Sequence, residues 1–198
     1  MATNNEIEFK QILNENVYND IKHKYFKDDT PFKQINYYID TEDFKLKSNQ
    51  SALRIRVKDD TYEMTLKVPA EVGLTEYNFD VSIEPKINKV ISHDQLPSDI
   101  RHIISEKYGI QDGSLSILGA LTTYRMETNY KNELLVLDKS EYLGTEDYEL
   151  EFEVNQYEEG LTKFNELLQS FNLAHQKPLN KVQRFFERKK ELSYISKK

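Results

Sequence analysis

The segment "EIEFK" at 6–10 places Glu6, Glu8 and Lys10 at alternate positions, with Ile7 and Phe9 between them. In an extended chain alternate side chains share one surface, so two carboxylates and an ammonium face one way and two apolar groups the other. The same spacing recurs at Arg54 and Arg56 in "ALRIRVK" and at Glu151 and Glu153 in "DYELEFEV", while Lys67 stands in "TYEMTLKV" and Arg125 in "TTYRMETNY". Guanidinium groups offer planar forks to phosphate oxygens and ammonium groups offer point charges, so Lys10, Arg54, Arg56, Lys67 and Arg125 suit a polyphosphate. Glu6, Glu8, Glu151 and Glu153 supply hard oxygen donors. Four carboxylates in one cavity repel, and Mg²⁺ is typically held by one or two carboxylates together with substrate phosphates. The chemistry indicated is the handling of a polyphosphate together with Mg²⁺ or Mn²⁺.

These residues need a scaffold that gathers them. Eight segments alternate with period two: "EIEFKQI", "QINYYID" (34–40), "SALRIRVK" (51–58), "TYEMTLKV" (61–68), "TEYNFDVSIE", "LTTYRMETNY", "NELLVLDKS" and "DYELEFEV". Short connections such as Asp59-Asp60 favour antiparallel pairing, and eight strands suit closure into a barrel without exposed edges. Helical spacing marks "NENVYNDIKHKYF", "HDQLPSDIRHIISEKYG" with Gly109 as its stop, "EEGLTKFNELLQSFN", and a last segment from about Lys181 to Lys190. Each strand has one apolar and one ionised side: Leu53, Ile55 and Val57 oppose Arg54, Arg56 and Lys58, and Tyr148, Leu150, Phe152 and Val154 oppose Asp147, Glu149, Glu151 and Glu153. In an ordinary small barrel the apolar sides fill the interior. Here the helices need an apolar sheet surface to pack on, and the ionised sides concentrate Arg in one strand and Glu in others. The expectation is therefore a barrel with helices outside and a charged lining within. Such a lining is costly when empty, because desolvated charges need partners.

Composition narrows the function classes. A chain of 198 residues with net charge -7 fits one domain and argues against general nucleic-acid binding, which requires a basic surface. No cysteine occurs, so disulfides, thiolate metal sites and a thiol nucleophile are excluded. The N-terminus lacks a signal-peptide pattern and no apolar run reaches about 18 residues, so the expectation is a cytoplasmic protein without membrane attachment, monomeric or homodimeric. His23, His93, His102 and His175 are scattered without metal-ligand spacing and read as surface or helix residues. Tyr37 and Tyr38 read as packing residues, and the basic C-terminal "RKKELSYISKK" as a solvated helix end. The phosphate-binding loop G-x-x-x-x-G-K-[ST] is absent.

"EIEFK" resembles the E-x-E-x-K signature of the CYTH superfamily, the triphosphate tunnel metalloenzymes. The resemblance continues in order through "YYID" (37–40), "LRIR" (53–56), "TLK" (65–67), Glu76 in "TEY", Arg125 in "TTYR", Asp138 in "VLDKS", "ELEFE" (149–153) and "NKVQRF" (180–185), and so covers nearly the whole chain. The pattern is similar to that of uncharacterised CYTH-domain proteins of Gram-positive bacteria. The resemblance implies an α+β fold: an eight-stranded antiparallel β-barrel tunnel with a charged interior and external helices, spanning 1–198 as one domain. It implies metal ligands at Glu6, Glu8, Asp138 and two of Glu149, Glu151 and Glu153, with Glu151 and Glu153 favoured and Glu149 as the spare. It further implies phosphate contacts at Lys10, Arg54, Arg56, Lys67 and Arg125, catalytic roles for Glu8, Lys10 and Glu76, and Lys181 or Arg184 closing the tunnel mouth.

Phosphoryl transfer requires positioning, charge neutralisation and an aligned nucleophile. The leading expectation is metal-dependent hydrolysis of inorganic tripolyphosphate or an organic triphosphate. The alternatives are a class IV-type adenylate cyclase, converting ATP to cyclic AMP and pyrophosphate, and a non-catalytic module that binds polyphosphate or nucleotide.

Overall fold

A computed structural model describes residues 2–197. Along the chain run β1 (Ala2–Leu13), α1 (Glu15–Tyr25), β2 (Phe32–Thr41), α2 (Lys45–Ser48), β3 (Ala52–Lys58), β4 (Thr61–Pro69), β5 (Leu74–Asp80), β6 (Val90–Ile91), α3 (Ser98–His102), β7 (Leu115–Tyr130), β8 (Glu133–Tyr142), β9 (Thr145–Val154), α4 (Tyr157–Gln169) and α5 (Lys181–Ile195). The eight expected strands are all present. The two-residue β6 and the one-turn α2 are additions too short to show a period. The long helix expected over 93–109 is instead broken into a 3₁₀ turn at His93–Gln95, α3, and a wider π-type turn at Ile103–Lys107. Pro97 accounts for the first break, since it cannot donate a backbone hydrogen bond inside a helix. Gly109 follows with φ of 61°, the left-handed conformation of a helix stop.

The strands pair in the order β2-β3-β4-β5-β1-β9-β8-β7-β6, and a further β2–β7 pairing closes the order over eight of them. This α+β class, with its closed eight-stranded antiparallel barrel pairing and helices on the apolar sheet faces, is the expected one. Contacts divide the chain into two compact units. The first comprises Gln34–Leu121 with β1 through Asn5; the second comprises Glu6–Lys33 and the chain from Thr122 onward.

In the first unit the apolar side of the strands holds Leu53, Ile55, Met64, Leu66 and Val68, which form one core with Leu96, Ile100 and Ile104 from the segment around α3. Register places Arg56 opposite Asn36 and Arg54 opposite Tyr38 and Thr65, so the charged side is the one turned away from those helices. Asp40, the last residue of "YYID", is buried at the end of β2 and accepts backbone N–H groups from Thr41, Leu46 and Lys47, which fixes the turn into α2.

The second unit follows the same rule. Phe9, Leu150, Phe152, Leu135 and Leu137 pack with Ile21 of α1 and Phe164, Leu167 and Leu168 of α4. Two-residue turns at Lys131-Asn132 and Leu143-Gly144, all four residues at positive φ, connect β7 to β8 and β8 to β9. That conformation matches the twist of the flanking strands and pins the register. Consequently Arg125 opposes Asp138, and Asp138 opposes Glu149. Asn14 starts α1 by accepting the Val17 N–H at 2.9 Å.

Among the described residues, no helix is long and apolar enough to cross a membrane.

Gly160 of α4 lies directly on Val154 of β9, where an added Cβ would meet the valine side chain at 2.5 Å. The β-branched valine cannot swing aside within its strand. Gly160→Ala is expected to lower unfolding free energy by about 1–3 kcal/mol despite alanine's better helix propensity, as measured by urea denaturation.

Candidate functional site

The densest charged cluster belongs to the second unit. β1 contributes Lys10, whose Nζ lies 2.8 Å from Glu8 and 3.8 Å from Glu151. β7 contributes Arg125, which grips Asp138 of β8 with both arms, Nε to Oδ1 at 2.8 Å and Nη2 to Oδ2 at 2.7 Å, and reaches Glu151 of β9 at 3.0 Å. The carboxylates of Asp138, Glu149 and Glu151 are all buried and converge so that one oxygen of each lies within 4.8 Å of the others. Two strands, β8 and β9, bring them together because the hairpin register aligns positions 138 and 149, and positions 149 and 151 share one face of β9.

A cation from α5 sits among them. Asn180 and Gln183 form a reciprocal cap, each side chain accepting the other's backbone N–H, which starts the helix at Lys181. Lys181 Nζ is 2.8 Å from Asp138 and 2.5 Å from Glu149, and it also bonds Glu151. One helical turn later Arg184 donates to Glu149 at 2.6 Å and to Asp147 at 3.0 Å. Asp147 in turn accepts the Tyr142 hydroxyl at 2.7 Å.

The protonation states follow from these partners. Burial pushes the Glu149 carboxyl up to about 7, even with Lys181 beside it. Burial acts the same way on Glu151, but Lys181, Arg125 and Lys10 together outweigh it and hold its carboxyl well below the usual range. Burial alone would lower the basicity of Lys181, yet Asp138, Glu149 and Glu151 reverse that and keep its ammonium protonated. Burial and the bond to Asp147 push the Tyr142 hydroxyl up to about 12.

The expected residues distribute as follows. Glu6, Glu8 and Lys10 share one face of β1, and Glu8, Lys10, Arg125, Asp138, Glu149, Glu151, Lys181 and Arg184 join one network. Glu153 lies opposite Glu8 in the β1–β9 ladder but is exposed, and the converging trio is Asp138, Glu149 and Glu151. Glu149, the spare of the three same-face glutamates, is thus the one that converges with Asp138 and Glu151. Glu149 is deeper because Asp138 lies directly across from it and Lys181 covers it. In the first unit Lys67 is ion-paired with its register partner Glu76 at 2.7 Å, and Arg56 donates from Nε to the Asn36 side-chain oxygen at 2.9 Å.

Alternation marks Asp147 only as part of the ionised face of its strand, and it does not single out the neutral Thr123 and Ser140. Asp147 anchors Arg184, and the buried Thr123 and Ser140 hydroxyls pair at 3.1 Å. His175 is half-buried and outside any helix, packing edge-on against Phe164 at 5.1 Å and against Phe9 at 6.1 Å. Tyr38 is buried and Tyr37 half-buried, as packing residues should be.

The donor set fits a hard divalent cation. Carboxylate oxygens on two adjacent strands, β8 and β9, can converge on Mg²⁺ or Mn²⁺ without rearranging the backbone. The same oxygens hold the Lys181 ammonium in this structure. Lys181→Met is expected to lower stability by about 3–5 kcal/mol in the presence of a chelator, because it leaves buried carboxylates facing one another. Mn²⁺ should return part of that loss, read as a larger rise in melting temperature for the variant than for the unaltered chain.

Comparison with known proteins agrees with this arrangement. The CYTH domain family model matches residues 4–186. Over 192 residues, 96% of this chain and 99% of the relative, the sequence is 36% identical to a Bacillus subtilis (strain 168) protein named "Putative triphosphatase YjbK". A crystal structure from Bacillus halodurans, described as a "putative adenylate cyclase", is 31% identical with a TM-score of 0.77, covering 94% of this chain and 100% of that one. The Hippeastrum protein HpAC1, described as a "putative adenylyl cyclase" with "a dominant" triphosphatase activity, is 23% identical with a TM-score of 0.73, covering 92% of this chain and 95% of that one, a likeness of fold alone.

Proposed function

This chain belongs to the CYTH family, and from that premise we propose that it is a divalent-metal-dependent triphosphatase acting on inorganic tripolyphosphate or an organic triphosphate. The observation that carries the reading is the pairing of charge types: buried carboxylates converge in one cluster, while Arg54, Arg56 and Lys67 stand on the polar strand faces. Nucleotide storage or anion capture alone has no use for the first set. The Bacillus subtilis relative's name favours hydrolysis over cyclisation.

In this reading Arg54, Arg56, Lys67 and Arg125 ligate phosphate oxygens, the Arg forks fixing orientation as well as charge. Glu76 holds Lys67 in place through their ion pair. Glu6, Glu8, Asp138, Glu149 and Glu151 would hold Mg²⁺ or Mn²⁺, with Glu153 at the exposed end of the row. When bound, such an ion neutralises charge on the phosphates and lowers the barrier to anhydride cleavage. Glu8 and Lys10, 2.8 Å apart, orient a water toward the terminal phosphorus. The water oxygen forms a new bond to phosphorus as the bridging P–O bond breaks, and the products are orthophosphate and the shortened polyphosphate. A proton leaves the attacking water, and Glu8 is the base closest to Lys10 to receive it. Lys181 and Arg184 contribute positive charge from α5.

The test is a panel of tripolyphosphate, ATP and thiamine triphosphate with Mg²⁺ or Mn²⁺, following phosphate, pyrophosphate and cyclic AMP. Phosphate release from tripolyphosphate is expected, stopped by a chelator and reduced roughly 10²-fold or more in Glu8→Gln. Cyclic AMP with stoichiometric pyrophosphate from ATP would instead assign the cyclase activity, and binding without any product would leave only sequestration.

A further inference from the structure

Strand β2 buries the wrong side of itself for an ordinary sheet. Gln34, Asn36 and Tyr38 are only 3%, 1% and 2% exposed, whereas the intervening Ile35 and Tyr37 are half-exposed. Buried amides are normally satisfied, because an unpaired donor retains the full cost of losing water. Here the Gln34 Nε2 and Asn36 Nδ2 groups are buried with no hydrogen-bond partner among the described residues, and so is Nε of Arg54. All three lie on one face, since register sets Gln34 against Lys58, Asn36 against Arg56, and Tyr38 against Arg54.

The orientation of Asn36 is fixed by chemistry. Arg56 can only donate, so the atom it holds at 2.9 Å must be the carbonyl oxygen of Asn36. The amide NH₂ is therefore the end left over. Each unpartnered atom on this face is an N–H donor, and Arg54 and Arg56 add positive charge. The complement to such a surface is rich in acceptor oxygens, carries negative charge and has no proton to donate. A phosphoryl group meets that description.

We propose that Gln34 and Asn36 are ligands to a phosphoryl group of the bound triphosphate, Asn36 also holding the Arg56 guanidinium in position. This rests on the triphosphatase reading and assigns to that substrate two neutral donors beside the charged ones. Neutral amides fix where an oxygen sits without adding charge, so they act on register along the polyphosphate rather than on overall attraction. Tripolyphosphate and the phosphate tail of ATP present the same chemistry.

The experiment measures binding of tripolyphosphate, and separately of ATP, by calorimetry in metal-free buffer, for the unaltered chain, Gln34→Met, Asn36→Asp and Arg54→Ala. Gln34→Met removes the unsatisfied amide and keeps the volume; Asn36→Asp keeps the acceptor for Arg56 and replaces the donor with an oxygen. Both are expected to weaken tripolyphosphate and ATP equally, by about ten-fold or more, the worth of a hydrogen bond to a charged acceptor. Gln34→Met should at the same time raise the melting temperature of the unliganded protein, an effect that a purely structural amide would not show. Melting curves establish that each variant folds; if Asn36→Asp does not, Gln34→Met decides. Unchanged affinity in Gln34→Met and Asn36→Asp alongside a loss in Arg54→Ala overturns this inference and leaves the triphosphatase reading standing. Unchanged affinity in Arg54→Ala removes that reading itself. A loss confined to ATP overturns the inference too, because the amides would then serve the nucleoside.

Discussion

Three carboxylates buried within a few ångströms of one another repel unless positive charge stands among them. Asp138, Glu149 and Glu151 meet that condition with Lys181 at the centre, Arg125 on one flank and Arg184 on the other. Desolvation makes each unpaired charge expensive, so the network tolerates few vacancies. This explains why α5 is anchored where it is. Its first residue, Lys181, is a buried lysine, and the reciprocal Asn180–Gln183 cap sets the helix start so that Lys181 and Arg184 reach β8 and β9 together. The helix is held by ionic contacts at its N-terminal end and by Phe185 and Phe186 just beyond.

The separation of apolar and ionised sheet faces is the second governing constraint. In each unit the helical segments seat on the apolar side, and polar residues with catalytic potential occupy the other. A register slip by one residue would exchange the two sides. The positive-φ turns at 131–132 and 143–144 guard against that slip where it matters most, since they set Asp138 opposite both Arg125 and Glu149.

Much of this was legible in the sequence because strands have the simplest period. Every alternating segment became a strand, and in the second unit Lys10, Arg125, Asp138 and Glu151 join one network. What alternation does not encode is depth. Glu149, Glu151 and Glu153 are equivalent by spacing, and only the neighbours across the ladder and above it decide that Glu149 is buried and Glu153 exposed. The broken helix near 93–109 was misread because Ile100, Ile103 and Ile104 carry helical spacing through a stretch that Pro97 interrupts. Gln34 and Asn36 went unnoticed because amides carry no charge, and their burial is a property of the closed pairing around β2 rather than of local sequence.

The second unit draws on both ends of the chain: Lys10 of β1 finds Glu151 as its register partner only after the whole of the first unit has been traversed. Contacts so distant in sequence are slow to form and late to be rewarded. On the ribosome the Gln34–Leu121 segment therefore emerges while Glu6, Glu8 and Lys10 still wait for neighbours, and α5, which carries the central counter-cation, comes after the acidic strands it closes. The acidic cluster is thus completed only once the lysine that neutralises it has followed its carboxylates out.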